Sequence, residues 1–173
     1  MKNKKIFFIT IIIIISIFFI LLLGLKKDQN YTPVSKLSII ENNISFESLY
    51  SEETVYLNDL LKEKPYSLIN IWASWCAPCK EEHPYLIELS FNERINMVGI
   101  NYKDNIKNAK NFLFDLGNPY QEILVDNNGV KSIELGAIGV PETYLLKDKK
   151  IIKKFIGPLN KITFDEITKI TKK

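Results

Sequence analysis

Only two cysteines, one histidine and one arginine occur among the 173 residues, with seven glycines and seven prolines. Two cysteines cannot staple a disulfide-dense mini-protein, and adding the lone His83 leaves them short of the four ligands of a structural zinc site. So little Gly and Pro, beside 46% hydrophobic residues, excludes collagenous, mucin-like and wholly disordered classes. Surplus charge is also missing. Apart from Lys2, Lys4 and Lys5, residues 26–173 hold the other 20 of the 23 basic groups against all 20 acidic ones. Without a basic stripe to neutralise phosphates, nucleic-acid binding is excluded. Lysines outnumber arginines 22 to 1, which reads as a coding bias, so single lysines carry little functional weight. The length suits one domain plus an appendage, and no internal repeat is visible.

What is present begins with the appendage. Residues 6–25 form an apolar run interrupted only by Thr10, Ser16 and Gly24. At about 1.5 Å per residue it spans roughly 30 Å, the thickness of a bilayer core. A cleaved signal peptide is the alternative, but its apolar core is usually about 7–15 residues and an Ala-x-Ala-like site should follow; Leu23-Gly24-Leu25-Lys26 offers none. Lys2, Lys4, Lys5 and the α-amino group before the span outweigh Lys26 and Lys27 after it, which places the N-terminus in the cytoplasm. The reading is a membrane anchor over 1–25, a polar linker over 26–36 and one folded domain over 37–173.

Along that domain the pattern predicts strand-like pieces at Ser38–Ile40 and Thr54–Leu57, then a helical turn at Asn58–Lys62 with Asn58 as N-cap. Ser67–Trp72 and Ile95–Asn101 read as buried strands, and 81–91 as a helix with Leu86 and Leu89 inward. Over 105–116, Ala109, Phe112, Leu113 and Leu116 mark an amphipathic helix, with Asp104 as its expected cap. Ile123–Val125 is a strand and Asp126–Gly129 a turn. Glu142–Leu146 and Ile151–Phe155 form a hairpin, and Asn160 caps a last helix carrying Phe164, Ile167 and Ile170. The order implies an α/β fold, a mixed sheet with helices on both faces.

The chemistry concentrates in Trp72-Ala-Ser-Trp75-Cys76-Ala-Pro-Cys79-Lys80, directly after a strand and opening a helix. There Cys76 meets the free N–H groups and positive dipole end that favour a thiolate. Cys79, one turn on, is placed to close a disulfide with it. Cys76 is the expected nucleophile and Cys79 the resolving thiol. A zinc half-site completed by His83 and a structural bridge are the alternatives; the first lacks a fourth ligand, and the second closes too short a loop to stabilise much.

This segment resembles the thioredoxin fold, and more narrowly the membrane-tethered thioredoxin-like reductases of cytochrome c maturation (CcmG, also called DsbE). The resemblance is carried by Asn70-Ile-Trp-Ala-Ser-Trp-Cys-Ala-Pro-Cys-Lys-Glu-Glu-His-Pro84, Gly99-Ile-Asn-Tyr-Lys-Asp104, Gly117-Asn-Pro-Tyr120, Gly139-Val-Pro-Glu-Thr-Tyr144 and Gly157-Pro-Leu159, and covers about residues 54–160. It implies a thioredoxin-like mixed sheet behind an N-terminal transmembrane helix, and a cis Val140–Pro141 bond whose loop offers the Val140 backbone to a client strand. Trp75 would be a flat wall beside Cys76, and Trp72 part of the core. No cofactor beyond the Cys76–Cys79 pair is implied. Asn70 stands where thioredoxins carry a buried, proton-moving Asp. The proton would pass instead to Glu82 or Glu142, which the family resemblance places near the cysteines. A carboxylate there raises the thiol pKa and favours a reductant. His83 reads as a surface helix residue. The family commonly has an Asp-x-x-Gly turn where this chain has Asp148-Lys-Lys-Ile.

The function implied is a tethered dithiol reductant on the periplasmic side of a bacterial inner membrane. It would open a disulfide in apocytochrome c, or in a maturation-complex thiol protein holding it, and be recharged by a membrane thiol-reducing transporter. A broader periplasmic disulfide reductase is the nearest alternative, and a copper or zinc metallochaperone using Cys76, Cys79 and His83 a more distant one.

Overall fold

The computed structural model describes residues 2–25, 44–51, 53–61 and 64–172, divided into two compact units at Pro33–Val34. The expected linker 26–36 and the strand at Ser38–Ile40 lie outside the described residues. In the first unit, α1 (Lys2–Leu25) is one continuous helix of 24 residues, and it takes in the whole apolar run from Ile6. Its described side chains at 6–20 are all exposed. Among the described residues no helix is long and apolar enough to cross a membrane.

The second unit is built on β1 (Ser45–Ser48), β2 (Thr54–Tyr56), β3 (Tyr66–Trp72), β4 (Ile95–Tyr102), β5 (Glu122–Asp126), β6 (Glu142–Lys147) and β7 (Lys150–Ile156), in the spatial order β2-β1-β5-β4-β3-β6-β7. β3, β4 and β5 run parallel, and the other pairings are antiparallel. Every residue of β3 is buried, as a central strand covered on both faces must be. Leu68 and Trp72 face one core, with Leu86 and Leu89 of α3 (Ala77–Ser90), Ala109 and Leu113 of α4 (Ile106–Leu116), and Phe164 and Ile167 of α6 (Lys161–Thr171). Ile69 and Ile71 face the other, with Leu57 of α2 (Leu57–Leu60), Leu61 and Leu135. The long helices thus share one face of the sheet, and the shorter α2 and α5 (Val130–Glu134) serve the other.

Two caps depart from expectation. Asn58 lies inside α2, whose N-cap position is held by Tyr56 without a side-chain bond. α4 is capped by Asn105, whose Oδ1 accepts the Lys107 and Asn108 N–H groups, because the Asp104 carboxylate is engaged across the loop. Asn160 does cap α6, in a reciprocal capping box with Thr163. The β6–β7 turn is made by Asp148 and Lys149 at φ 47° and 64°, a hairpin geometry reached here without the family's glycine.

Register sets the functional end. Trp72 pairs with Asn101 and Ile71 with Glu142, so the chain leaves β3 and β4 and enters β6 at the same edge of the sheet. The Cys76 loop, the Lys103–Asn105 loop and the segment before Pro141 therefore converge there.

Candidate active site

At that edge β3 gives way to α3, and Cys76 takes the N-cap position with extended backbone (φ −88°, ψ 105°). Its Sγ accepts the Cys79 N–H at 3.1 Å, so the sulfur occupies the place where a cap oxygen satisfies an orphan donor. Cys76 and Cys79 form a disulfide, S–S 2.04 Å with Cα atoms 5.3 Å apart. Cys76 keeps 5% of its surface and Cys79 only 1%, so Cys76 is the more accessible of the two. When the bond opens, the N–H groups and helix dipole at this position stabilise a thiolate on Cys76.

The approach is framed by side chains from neighbouring loops. Trp75 is 59% exposed, with its indole N–H donating to Lys103 O at 3.0 Å. Asp104 holds the same turn: its Oδ2 accepts the Ser74 N–H at 2.5 Å and its Oδ1 the Ser74 hydroxyl at 2.7 Å, while Asn101 Nδ2 donates to Oδ2. The Val140–Pro141 bond is cis; Pro141 is buried, and the half-buried Val140 packs against the core that includes both cysteines. Trp72 is core, 1% exposed and stacked on Tyr120 with ring centroids 5.9 Å apart. Gly99 faces this stack: a Cβ there would lie 2.9 Å from both the Trp72 indole nitrogen and the Tyr120 ring.

Behind the cysteines runs a buried polar chain. Asn70 donates to Glu82 Oε1 at 2.8 Å and to Thr143 Oγ1 at 3.0 Å, and accepts the Tyr120 hydroxyl at 2.7 Å. Glu82 Oε2 accepts the Leu159 N–H at 2.7 Å. Asn70 and Glu82 are both fully buried, and Glu82 shares the inner face of α3 with Cys79. Burial raises the Glu82 pKa to about 7, against the opposing pull of the Leu159 and Asn70 donors. The Tyr120 hydroxyl is pushed well above its ordinary range by burial first and by Glu82 second.

Glu142 is equally buried but differently placed. Its Oε1 accepts the Ile138 N–H and its Oε2 the Tyr144 hydroxyl, both at 3.0 Å, with Lys154 Nζ 3.2 Å from Oε2. His83, expected at the surface, is 3% exposed. Its Nε2 lies 2.9 Å from Gly117 O and its ring meets Phe112 edge-on at 5.1 Å. Burial pushes its pKa down, partly offset by the Gly117 carbonyl. With His83 turned to Gly117, no group of three potential metal ligands occurs among the described residues. The sequence reading missed Tyr120, Leu159 and Lys154 as members of this neighbourhood. Only the Gly117-Asn-Pro-Tyr120 and Gly157-Pro-Leu159 segments signalled the first two; Lys154 carried no signal among so many lysines.

The model of the redoxin family matches residues 42–170. The thiol:disulfide interchange protein CycY of Rhizobium leguminosarum is 47% identical over 64% of this chain and 60% of its own length. The thiol:disulfide interchange protein DsbE of Pasteurella multocida is 34% identical over 95% of this chain and 92% of its own. Among solved structures, a DsbF homologue from Corynebacterium diphtheriae superposes with TM-score 0.63 at 28% identity, covering 73% of this chain and 83% of that one.

Proposed function

The chain belongs to the redoxin family and, within it, to the DsbE-type thiol:disulfide interchange proteins, and we propose that this thiol-disulfide oxidoreductase acts as a membrane-tethered dithiol reductant in cytochrome c maturation. The observation that carries the proposal is the Cys76–Cys79 disulfide at the head of α3, its outer sulfur on Cys76, with the buried Glu82 carboxyl on the same helix face as Cys79.

In the reduced form the Cys76 thiolate attacks one sulfur of the client disulfide. A mixed disulfide forms, and the other client sulfur leaves as a thiolate. Cys79 loses its proton and attacks Cys76 Sγ, closing the Cys76–Cys79 bond and releasing the second client sulfur. Two electrons and two protons pass to the client. Glu82, with a pKa near neutrality, is the group suited to take the Cys79 proton, while Glu142 is committed to Lys154, Tyr144 and Ile138. A buried carboxylate opposes nearby thiolate charge, so the dithiol is less stabilised as an anion and gives up its electrons more readily.

The client is apocytochrome c or a thiol protein that holds it, and a membrane thiol transporter restores the dithiol. The anchor is the apolar run over residues 6–25, whose 20 residues would span roughly 30 Å as a helix at about 1.5 Å per residue. The lysines before it favour a cytoplasmic start and a periplasmic domain. The Cys79→Ser chain is expected to accumulate mixed disulfides through Cys76, and the Cys76→Ser chain none. Identification of the trapped proteins by mass spectrometry should return apocytochrome c or a partner of its assembly. Trapping only of unrelated disulfide proteins would replace this reading with a broader reductase, and full activity in both variants would end it.

A further inference from the structure

The carboxylate of Glu142 and the ammonium of Lys154 form an ion pair with little access to water, their side chains 1% and 13% exposed. The pair grips one short segment from both sides. Lys154 Nζ donates to Gly136 O at 2.8 Å, and Glu142 Oε1 accepts the Ile138 N–H at 3.0 Å. Tyr144 steadies both partners: its hydroxyl donates to Glu142 Oε2 at 3.0 Å, and its ring lies 5.3 Å beneath the Lys154 ammonium. Lys154 pairs with Tyr144 across the β6–β7 hairpin, so the lysine reaches the segment from the neighbouring strand.

That segment runs straight into Val140–Pro141 at the sheet edge shared with Cys76. Packing does little to fix its outer half. Ile138 is 77% exposed and Gly139 has open space where a Cβ would stand. Bonds to the backbone must therefore set its course. A buried ion pair is a poor source of net stability, since desolvation offsets much of the attraction. What such a pair supplies is a defined geometry.

We propose that Glu142 and Lys154 are positioning residues that hold 136–140 in the course that receives a client's backbone beside Cys76. They govern capture of an extended, disulfide-bearing segment and leave the sulfur chemistry to Cys76 and Cys79. The inference rests on the reductase reading above.

The test uses the full chain in mild detergent, reduced and then oxidised either by a short disulfide-closed peptide or by bis(2-hydroxyethyl) disulfide, which has no peptide backbone to lie along the segment. In the double variant Glu142→Gln/Lys154→Met the rate ratio of peptide over the small disulfide falls about tenfold, carried by KM for the peptide. The isosteric Glu142→Gln alone, which keeps an acceptor for the Ile138 N–H, loses about threefold. A ratio unchanged in both variants, or an equal slowing with both oxidants, overturns the proposal. Running wild type with one Cys-x-x-Cys-His peptide, the haem-attachment spacing, and one lacking the His keeps the two readings apart. Equal rates there count against the cytochrome client, while the variant-to-wild-type ratio still decides the role of the pair.

Discussion

Glu82 is buried against two neutral donors, the Asn70 amide and the Leu159 N–H, whereas Glu142 is buried against a lysine. Burial, against the opposing pull of those two donors, gives Glu82 its protonation near neutrality and a stability signature. Its native pKa of about 7 lies above the ordinary 4.5, so between those values the folded chain holds a proton that the unfolded chain has released. Stability contributed by this group is complete below about pH 4.5 and is lost as pH rises through 7. The shift corresponds to about 3 kcal/mol at 1.36 kcal/mol per unit. His83 acts in the opposite sense, its lowered pKa costing stability as pH falls, so the clean quantity is a difference between variants. In urea unfolding between pH 4.5 and 7.5, Glu82→Gln should gain about 3 kcal/mol relative to wild type across the window. A pH-independent difference would mean that the Glu82 pKa is not raised on folding, which leaves a carboxylate too weakly basic to hold the Cys79 proton near neutrality.

At the scale of elements, what could be read from the sequence divides by how local its cause is. β3, α3, β4, α4 and the β6–β7 hairpin follow from periodicity and turn residues within each segment, and the structure has them with shifted ends. β1 and α5, four and five residues long, are too short for a period to register. Asp104 and Asn105 are both good caps side by side, and the choice falls to Ser74, thirty residues earlier, which claims the Asp104 carboxylate. His83 sits inside because Phe112 and the Gly117 carbonyl, from α4 and its end, cover it; nothing in α3 alone carries that information. α1 is the opposite case: the membrane span proposed for it rests on the composition of residues 6–25 alone. The full chain is expected to stay with membranes through an alkaline wash, and protease added to spheroplasts should remove the domain but leave α1. Recovery of a soluble chain beginning after residue 25 would make this segment a cleaved signal.

For the molecule as a whole, the parallel strands β3, β4 and β5 and the antiparallel β6 bring separate loops to one end of the sheet, which no single segment encodes. β3 delivers Cys76, β4 delivers the Lys103–Asp104 clamp on Trp75 and Ser74, and the approach to β6 delivers the Glu142–Lys154 frame. The outer strand β7 carries Lys150, Lys153 and Lys154, charges that discourage edge-to-edge association, and one of them is turned inward to that frame. The joint consequence is a protein whose thiolate is favoured by a helix start and opposed by a buried carboxyl, which together set the electron-donating tendency of the Cys76–Cys79 pair. Equilibration of the full chain with defined ratios of reduced and oxidised glutathione, read by thiol alkylation, measures that tendency most directly. The account predicts a potential on the reducing side of about −200 mV, toward the roughly −270 mV of thioredoxin; a value near −120 mV, that of a strong oxidant, would contradict it.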